Sequence, residues 1–408
     1  MTFKSICTVL AWLAVCTVPG LALAQNSLTL EQSIAAVKKL NPGLGIEKQN
    51  ILTRAIDVNK SRADALPTLN LTSDYEYLLG VNALKNSVDL SWDFAARAKN
   101  SGAPQQLRLK AAKKQKAATE ALLVYRVKAG YYTLMQVKQE LAILQKNHEL
   151  LVQQRSVTAQ LVSSQLKLDS ALSRIDDQLN TITNKILIKR GVVIQTRSAL
   201  LHLINIPDTR GITFADCEKL SIPLPSRSMV MDKALTSPEI QGLDLEQQAL
   251  VASVNRPWMD KLPVMTLSTG YQQEWPVANN GTNVHLVFSF PLMDMGRSRA
   301  RNAGAEALAT KKKLEVRQKL KALTERISSL YEQAELNRTM FMAYQKTHAH
   351  RLKTLKLANS EYESGLITES ELINTQRDSI DTELQMNKTF YDYMTLLAEI
   401  NYRQGVVQ

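Results

Sequence analysis

Residues 121–163 read ALLVYRVKAGYYTLMQVKQELAILQKNHELLVQQRSVTAQLVS, and residues 321–363 read KALTERISSLYEQAELNRTMFMAYQKTHAHRLKTLKLANSEYE. In the first, Leu123, Val127, Gly130, Leu134, Val137, Leu141, Leu144, His148, Leu151, Arg155, Thr158 and Val162 recur in alternating steps of three and four. In the second, Leu323, Ile327, Leu330, Ala334, Asn337, Phe341, Tyr344, His348, Arg351, Leu355, Ala358 and Tyr362 do the same, position for position, at an offset of 200. A seam kept over more than five heptads argues coiled-coil packing. Each helix is expected to start near Arg97 or Arg297 and to run about 65 residues, roughly 100 Å at about 1.5 Å per residue. A helix of that length cannot fold onto a globule and must lie beside others.

Working outward from these helices, the chain reads twice through one order: helix, strand, short loop, strand, very long helix, tip, return helix. The first pass is expected over 25–205, with strands at about 67–77 and 86–94, a long helix at about 97–164 and a tip at about 165–170. The second is expected over 232–408, with strands at about 264–275 and 283–291, a long helix at about 297–363 and a tip at about 364–370. Between them, residues 206–231 carry Pro207, Pro223 and Pro225 and read as a linker packed against the helices.

The strand segments alternate with period 2. Leu69, Leu71, Tyr75 and Tyr77 oppose Thr68, Asn70, Thr72, Asp74 and Glu76; Val88, Leu90, Trp92 and Phe94 oppose Ser87, Asp89, Ser91 and Asp93. In the second pass Met265, Leu267, Tyr271 and Trp275 oppose Thr266, Ser268, Gly270 and Gln272, and Val284, Leu286, Phe288 and Phe290 oppose His285 and Ser289, with Val287 the one apolar exception. Segments of about 9–11 residues with aromatics near their ends have the length and alternation of transmembrane β-strands. Leu69, Leu71, Leu90, Trp92, Leu267, Tyr271, Leu286 and Phe288 are the expected lipid-facing side chains. Four strands cannot enclose a lumen, and an open sheet edge cannot sit in lipid. The strands therefore call for an oligomer: 8 strands in a dimer, 12 in a trimer, 16 in a tetramer, each a multiple of the four above.

Composition agrees with a helical, exported protein. The 408 residues are 45% hydrophobic and 22% charged, with 15 Gly and 12 Pro, which excludes disordered and collagen-like classes. Lys4, the apolar run Ile6–Val18 and Ala22-Leu23-Ala24 form a signal peptide over 1–24. Val15 is bulkier than the small residue that precedes a lipidated cysteine, so Cys16 reads as part of that signal. Cys217 alone remains afterwards, so no intrachain disulfide is expected. No later stretch of about 18 residues is free of charge, so no spanning helix is expected.

Together with the two seams and four alternating strands, Leu28-Thr29-Leu30-Glu31-Gln32-Ser33-Ile34, Phe290-Pro291-Leu292-Met293-Asp294-Met295-Gly296-Arg297 and Tyr362-Glu363-Ser364-Gly365 resemble the outer-membrane efflux protein family, the TolC-like exit ducts of Gram-negative bacteria. Leu28-Thr29-Leu30-Glu31-Gln32-Ser33-Ile34 with Asn41-Pro42-Gly43-Leu44 resembles the family's first helix, and Ala65-Leu66-Pro67-Thr68-Leu69 its lead-in to the first strand. Ser237-Pro238-Glu239-Ile240 and Leu262-Pro263-Val264 repeat both features. Phe290-Pro291-Leu292-Met293-Asp294-Met295-Gly296-Arg297 is similar to the strand-to-helix junction, and Tyr362-Glu363-Ser364-Gly365 with Glu371-Leu372 to the periplasmic tip. The resemblance implies a mainly α fold with a small transmembrane β part: coiled-coil hairpins forming an α-barrel, and four strands per protomer closing as a 12-stranded barrel in a homotrimer. It implies an outer-membrane location with the helices in the periplasm, and contact with outer-membrane lipid. The partners it implies are a periplasmic adaptor and an inner-membrane transporter of RND, ABC or MFS type, in a tripartite efflux pump or a type I secretion system. It implies no enzymatic activity and no cofactor.

The resemblance places a tip or gate at Tyr362, Gly365, Glu371 and Asn374; Asp169, Asp176 and Asp177 lie near the first tip as candidate substitutes for its missing acid. Departures stand beside it. Asn374 replaces an acid, Ile367 an arginine, Gln165 a glycine and Ala171 an aspartate. Trp92-Asp93-Phe94-Ala95-Ala96-Arg97, with Gly102 and Pro104 after it, is a degenerate junction where the helix start is kinked or delayed. Three copies of Glu371 around an axis would attract cations and raise one another's pKa; the plainer reading is a solvated helix-end carboxylate. Two basic runs recur, Lys110, Lys113, Lys114 and Lys116, then Lys311, Lys312, Lys313 and Arg317. They read first as a solvated helix face and second as a basic belt. Met340, Met342, His348 and His350 read as packing residues rather than a copper site, and no nucleotide loop, hydrolase, zinc-protease or nucleic-acid signature occurs. The competing class is a non-pore periplasmic coiled-coil adaptor or structural protein.

Overall fold

The structure, a computed structural model, describes residues 27–78, 81–99, 102–165, 167–207, 211–216, 223–254, 259, 262–275, 281–290 and 295–406. The expected signal peptide with Cys16, the residue Cys217, and the junction residues 291–294 lie outside the described residues.

The first repeat opens with β1 (Ser27–Leu28), α1 (Leu30–Leu40) and α2 (Pro42–Ala63). Thr29 starts α1 by a capping box: its hydroxyl accepts from the Gln32 N–H while Gln32 Oε1 accepts from the Thr29 N–H at 2.9 Å. Asn41 caps α2, its side chain accepting from Gly43 N at 2.8 Å, with Pro42 at the first helical position. Strands β2 (Thr68–Leu78) and β3 (Val81–Asp93) follow, then a short α3 (Phe94–Lys99), α4 (Ala103–Ser163) and α5 (Asp169–Ile204). After β4 (Thr213–Phe214), the second repeat runs α6 (Arg227–Leu235), α7 (Pro238–Ala252), β5 (Val264–Trp275), β6 (Gly281–Ser289), α8 (Arg297–Glu363) and α9 (Glu369–Arg403).

Two boundaries differ from the sequence reading. The first long helix does not run unbroken from about 97. Gly102 adopts a left-handed φ of 72° as the N-cap residue of α4, so that helix starts at Ala103 with Pro104 in its first turn. The second strand begins at Val81 rather than about 86. Backbone pairing with β2 and β5 extends it where its side-chain alternation is poor.

The heptad seams are the packing surfaces. Leu123, Val127, Leu134, Val137, Leu144, Leu151 and Thr158 are buried on α4, and Leu323, Ile327, Leu330, Ala334 and Ala358 on α8. Of the expected α4 seam, Arg155 lies exposed. Helix α4 packs on both α5 and α9, and α9 on α8, so two coiled-coil hairpins lie side by side. Buried acids pin them. Glu399 of α9 accepts from Arg326 of α8 at 2.9 and 3.0 Å, and Glu140 of α4 pairs with Lys189 of α5 at 2.5 Å. The linker is docked rather than loose: β4 pairs in parallel with β1, and Tyr131 of α4 stacks edge-on to Phe214 and donates its hydroxyl to Ala215 O at 2.5 Å. One apolar core joins α1, α4, α5, α8, α9 and this ribbon.

Candidate functional site

Two regions carry the chemistry: a four-stranded sheet at one end of the long helices and the paired turns at the other. The sheet has the antiparallel order β2-β3-β5-β6. Its register aligns Leu69, Leu90, Leu267 and Leu286 in one row across all four strands. A second row on the same face runs Leu71, Val88, Thr269 and Val284, and a third joins Trp92, Met265 and Phe288. Leu69 and Leu71 are 71% and 78% exposed, and Leu286 and Phe288 57% and 51%. An exposed apolar face aligned across four strands marks an interaction surface.

The opposite face is mainly polar, with Val287 as an apolar exception in the Thr68, Ser91 and Thr266 row. Asn70, Asp89, Ser268 and His285 share one row, and Thr72, Ser87, Gly270 and Asn283 another. Thr68 and Ser91 hydroxyls lie 2.6 Å apart, and Asp89 accepts from Thr72 and Ser87 at 3.2 Å each. Gly270 is fixed here by space: a Cβ would meet Asn86 O at 2.9 Å.

At the far end each hairpin turns through a left-handed residue, Gln165 (φ 60°) between α4 and α5 and Gly365 (φ 73°) between α8 and α9. At Gly365 the Gly365 N–H donates to Tyr362 O at 3.0 Å and the Leu366 N–H to Glu361 O at 2.8 Å, closing the last turn of α8. Nothing lies within 4 Å of a Cβ built there, so the glycine answers to backbone conformation alone. Gln165 holds the same conformation with a side chain, which costs about 1 kcal/mol.

The expected tip residues do not form one cluster. Glu371 completes a capping box with Thr368, accepting from its backbone N–H at 2.8 Å and its hydroxyl at 2.9 Å. The backbone bond first, then the hydroxyl bond, hold its carboxyl below the usual range. Asp176 is bound two-pronged by Arg155, whose Nη2 donates to Oδ2 at 3.2 Å, and this hydrogen bonding lowers its pKa too. Asn374 and Asp169 are exposed. Tyr362 alone is drawn into a contact between hairpins. Lys167 of the first turn donates to its hydroxyl, lies 4.0 Å from its ring centroid and comes within 3.9 Å of Glu369.

Lys167 and Glu369 were missed by the sequence reading. Glu369 is 9% exposed, and neither carboxylate oxygen accepts a hydrogen bond among the described residues. Burial pushes its pKa up, against the pull of Lys167 and Arg174. The available signal was Tyr362, a hydroxyl-bearing ring at the end of a seam, which needs a polar partner when partly buried. Along the hairpins a groove of about 610 Å³ opens between α5 and α9 on α4, with Leu144, Leu151 and Ile182 at its base and Lys185, Arg377 and Asp381 on its rims. No group of three or more His, Cys, Asp or Glu suited to a metal occurs among the described residues. No helix among them is long and apolar enough to cross a membrane.

Two measurements follow from the turns. Replacing Gln165 with Gly removes side-chain strain and is expected to raise stability by about 0.5–1 kcal/mol, while Gly365→Ala lowers it by about 1 kcal/mol; denaturant midpoints of the purified protein decide it. The lowered carboxyls of Asp176 and Glu371 contribute stability above their unfolded pKa that is lost as pH falls through their folded values. Glu369, raised, acts in the opposite sense: protonation relieves its burial. As pH falls below about 4, the ordinary carboxyl range, exchange protection of residues 153–177, corrected for intrinsic rate, is expected to fall, and above that range to stay level. Asp176→Asn removes most of that fall.

In sequence, residues 231–401 match a model of the family described as outer membrane efflux protein. No curated protein matches the chain. Among solved structures, the outer membrane channel CmeC of Campylobacter jejuni is 13% identical with a TM-score of 0.78, covering 92% of this chain and 85% of its own. The outer membrane protein VceC of Vibrio cholerae is 14% identical (TM-score 0.77; 92% and 96%). The open state of the Neisseria gonorrhoeae outer membrane channel MtrE is 15% identical (TM-score 0.77; 92% and 88%). In sequence its second repeat matches the outer membrane efflux protein family, and in fold nearly its whole length is similar to these outer membrane channels.

Proposed function

We propose that three copies of this chain form an exit duct through the outer membrane of a Gram-negative bacterium. One observation carries the reading: a four-stranded sheet with leucines aligned across one face, polar groups across the other, and β2 and β6 as its outer strands. In lipid those outer strands need partners, because unpaired N–H and C=O groups each cost several kcal/mol there. Pairing β6 of one copy with β2 of the next closes 12 strands in a trimer, counting four per chain. The leucine rows then meet acyl chains and the Asp89 and Asn70 row meets water. Helices α4 and α8, 61 and 67 residues long, continue the wall into the periplasm as a tube.

The duct conducts passively. Substrate reaches it from an inner-membrane transporter of RND, ABC or MFS type through a periplasmic adaptor, in a tripartite efflux pump or a type I secretion system. Exposed Leu168 and Leu366 give each tip an apolar contact of the kind an adaptor would cover. Tyr362, Gly365, Glu371, Asn374, Asp169 and Asp176 form the tip region, with Lys167 tying one hairpin to the other. The competing adaptor or structural reading leaves the leucine rows without a role.

Purified in detergent, the protein is expected to sediment as a trimer and to conduct in planar bilayers. Leu90→Arg is expected to abolish insertion, since a cation on the lipid face costs up to about 2–4 kcal/mol in each copy. A monomer without conductance, or normal insertion of the variant, overturns the reading. Glu371→Gln preserves the capping box, because Gln caps as Glu does, yet removes the charge. Reversal potentials in a salt gradient are expected to shift away from cation preference, and unchanged potentials exclude a carboxylate ring.

A further inference from the structure

The two stretches where the sheet hands over to the long helices hold the chain's entire charge excess. Residues 94–119 carry 7 Lys and Arg and no acid, and residues 295–321 carry 9 against two acids, Glu306 and Glu315. Together they amount to +14 in a chain of formal charge +12, so everything else nets −2. Both stretches leave the same edge of the sheet, one in each repeat.

Their local setting runs against helix electrostatics. A helix N-terminus carries positive partial charge and favours acids. The first turn of α4 and that of α8 hold no acid. Helix α8 instead opens on Arg297, Arg299 and Arg301, all exposed and without an acidic partner among the described residues. Lower down, packed elements supply counter-charge: Glu246 of α7 meets Lys312 at 2.7 Å, and Glu239 of α7 lies 4.0 Å from Lys319. Among the described residues the arginines nearest the sheet have no such relief. A cluster that breaks a local rule without internal compensation points to an external anion.

The neighbouring side chains say where that anion lies. The row Trp92, Met265 and Phe288 crosses the sheet at this end, Trp92 and Phe94 stack with centroids 5.1 Å apart, and Arg97 sits 5.1 Å over the Trp92 ring. Aliphatic rows, then aromatics, then cations is the order met on leaving a bilayer through its interface.

We infer that Arg97, Arg297, Arg299, Arg301 and Lys110 form a basic collar that binds the headgroups of anionic phospholipids in the leaflet next to the helices. This rests on the duct reading, which places the sheet in the membrane. The guanidinium forks suit phosphate oxygens, and the lysines below add field within a Debye length or two of about 10 Å.

The test uses the full-length protein reconstituted in phosphatidylcholine vesicles doped with brominated phosphatidylglycerol or brominated phosphatidylcholine. Quenching of tryptophan fluorescence, to which Trp92 contributes beside the collar, gives their relative binding constant. A preference for phosphatidylglycerol of about three-fold or more is expected, falling towards one in about 1 M salt. Arg299→Gln with Arg301→Gln and Lys110→Gln is expected to abolish it, and Arg299→Lys with Arg301→Lys to retain it. Equal quenching by both lipids in the wild type, or a preference that survives the Gln variant, overturns the collar while conductance leaves the duct standing. Charge-dependent retention on purified cell-wall sacculi without lipid preference overturns it in favour of peptidoglycan. Failure to insert into either vesicle counts against the duct itself.

Discussion

On the proposed reading, the hydrogen-bonding demand of backbone in lipid governs this molecule. A sheet of four strands satisfies its inner strands and leaves the outward groups of β2 and β6 to be paired elsewhere. A soluble protein can shield such an edge with water, charge or a bulge. Here the flanking faces are built otherwise, with leucines in register across every strand. On the duct reading the subunit is then a segment of wall, with its side chains arranged around a shared axis that the long helices inherit. They pack laterally in pairs, and their hairpins hold each other through a few buried acids such as Glu140 and Glu399.

Much of this was legible in the sequence because it is periodic. The seam from Leu123 to Val162 and its copy 200 residues on name the packing faces, and burial of Leu134, Leu144, Ile327 and Leu330 follows them. Strand parity was equally plain, since a one-residue slip would turn Leu90 to the polar side. What stayed hidden was aperiodic. The start of β3 at Val81 is dictated by the reach of its neighbours, as its own residues 81–85 alternate poorly. The break at Gly102 was signalled as a kink or delay, and its place depends on a φ that only Gly adopts freely.

The tip was the least readable part, for a physical reason. Contacts there join residues nearly 200 apart, Lys167 with Tyr362 and Glu369. No period within a helix encodes a meeting between two turns. Comparison with a family pattern directed attention to Glu371 and Asp176, which the structure finds capping Thr368 and pairing Arg155. Glu369 drew no notice, although it is the acid that burial makes expensive.

The meeting of Lys167 with Tyr362 also couples the lengths of the two arms. Both must descend equally far for the contact to exist, so each hairpin gauges the other. A heptad added to one arm alone would carry its turn about 10 Å past its mate, whereas the same heptad in both would keep them level. The arms can lengthen only in step, and the depth of the tube is a property of the pair.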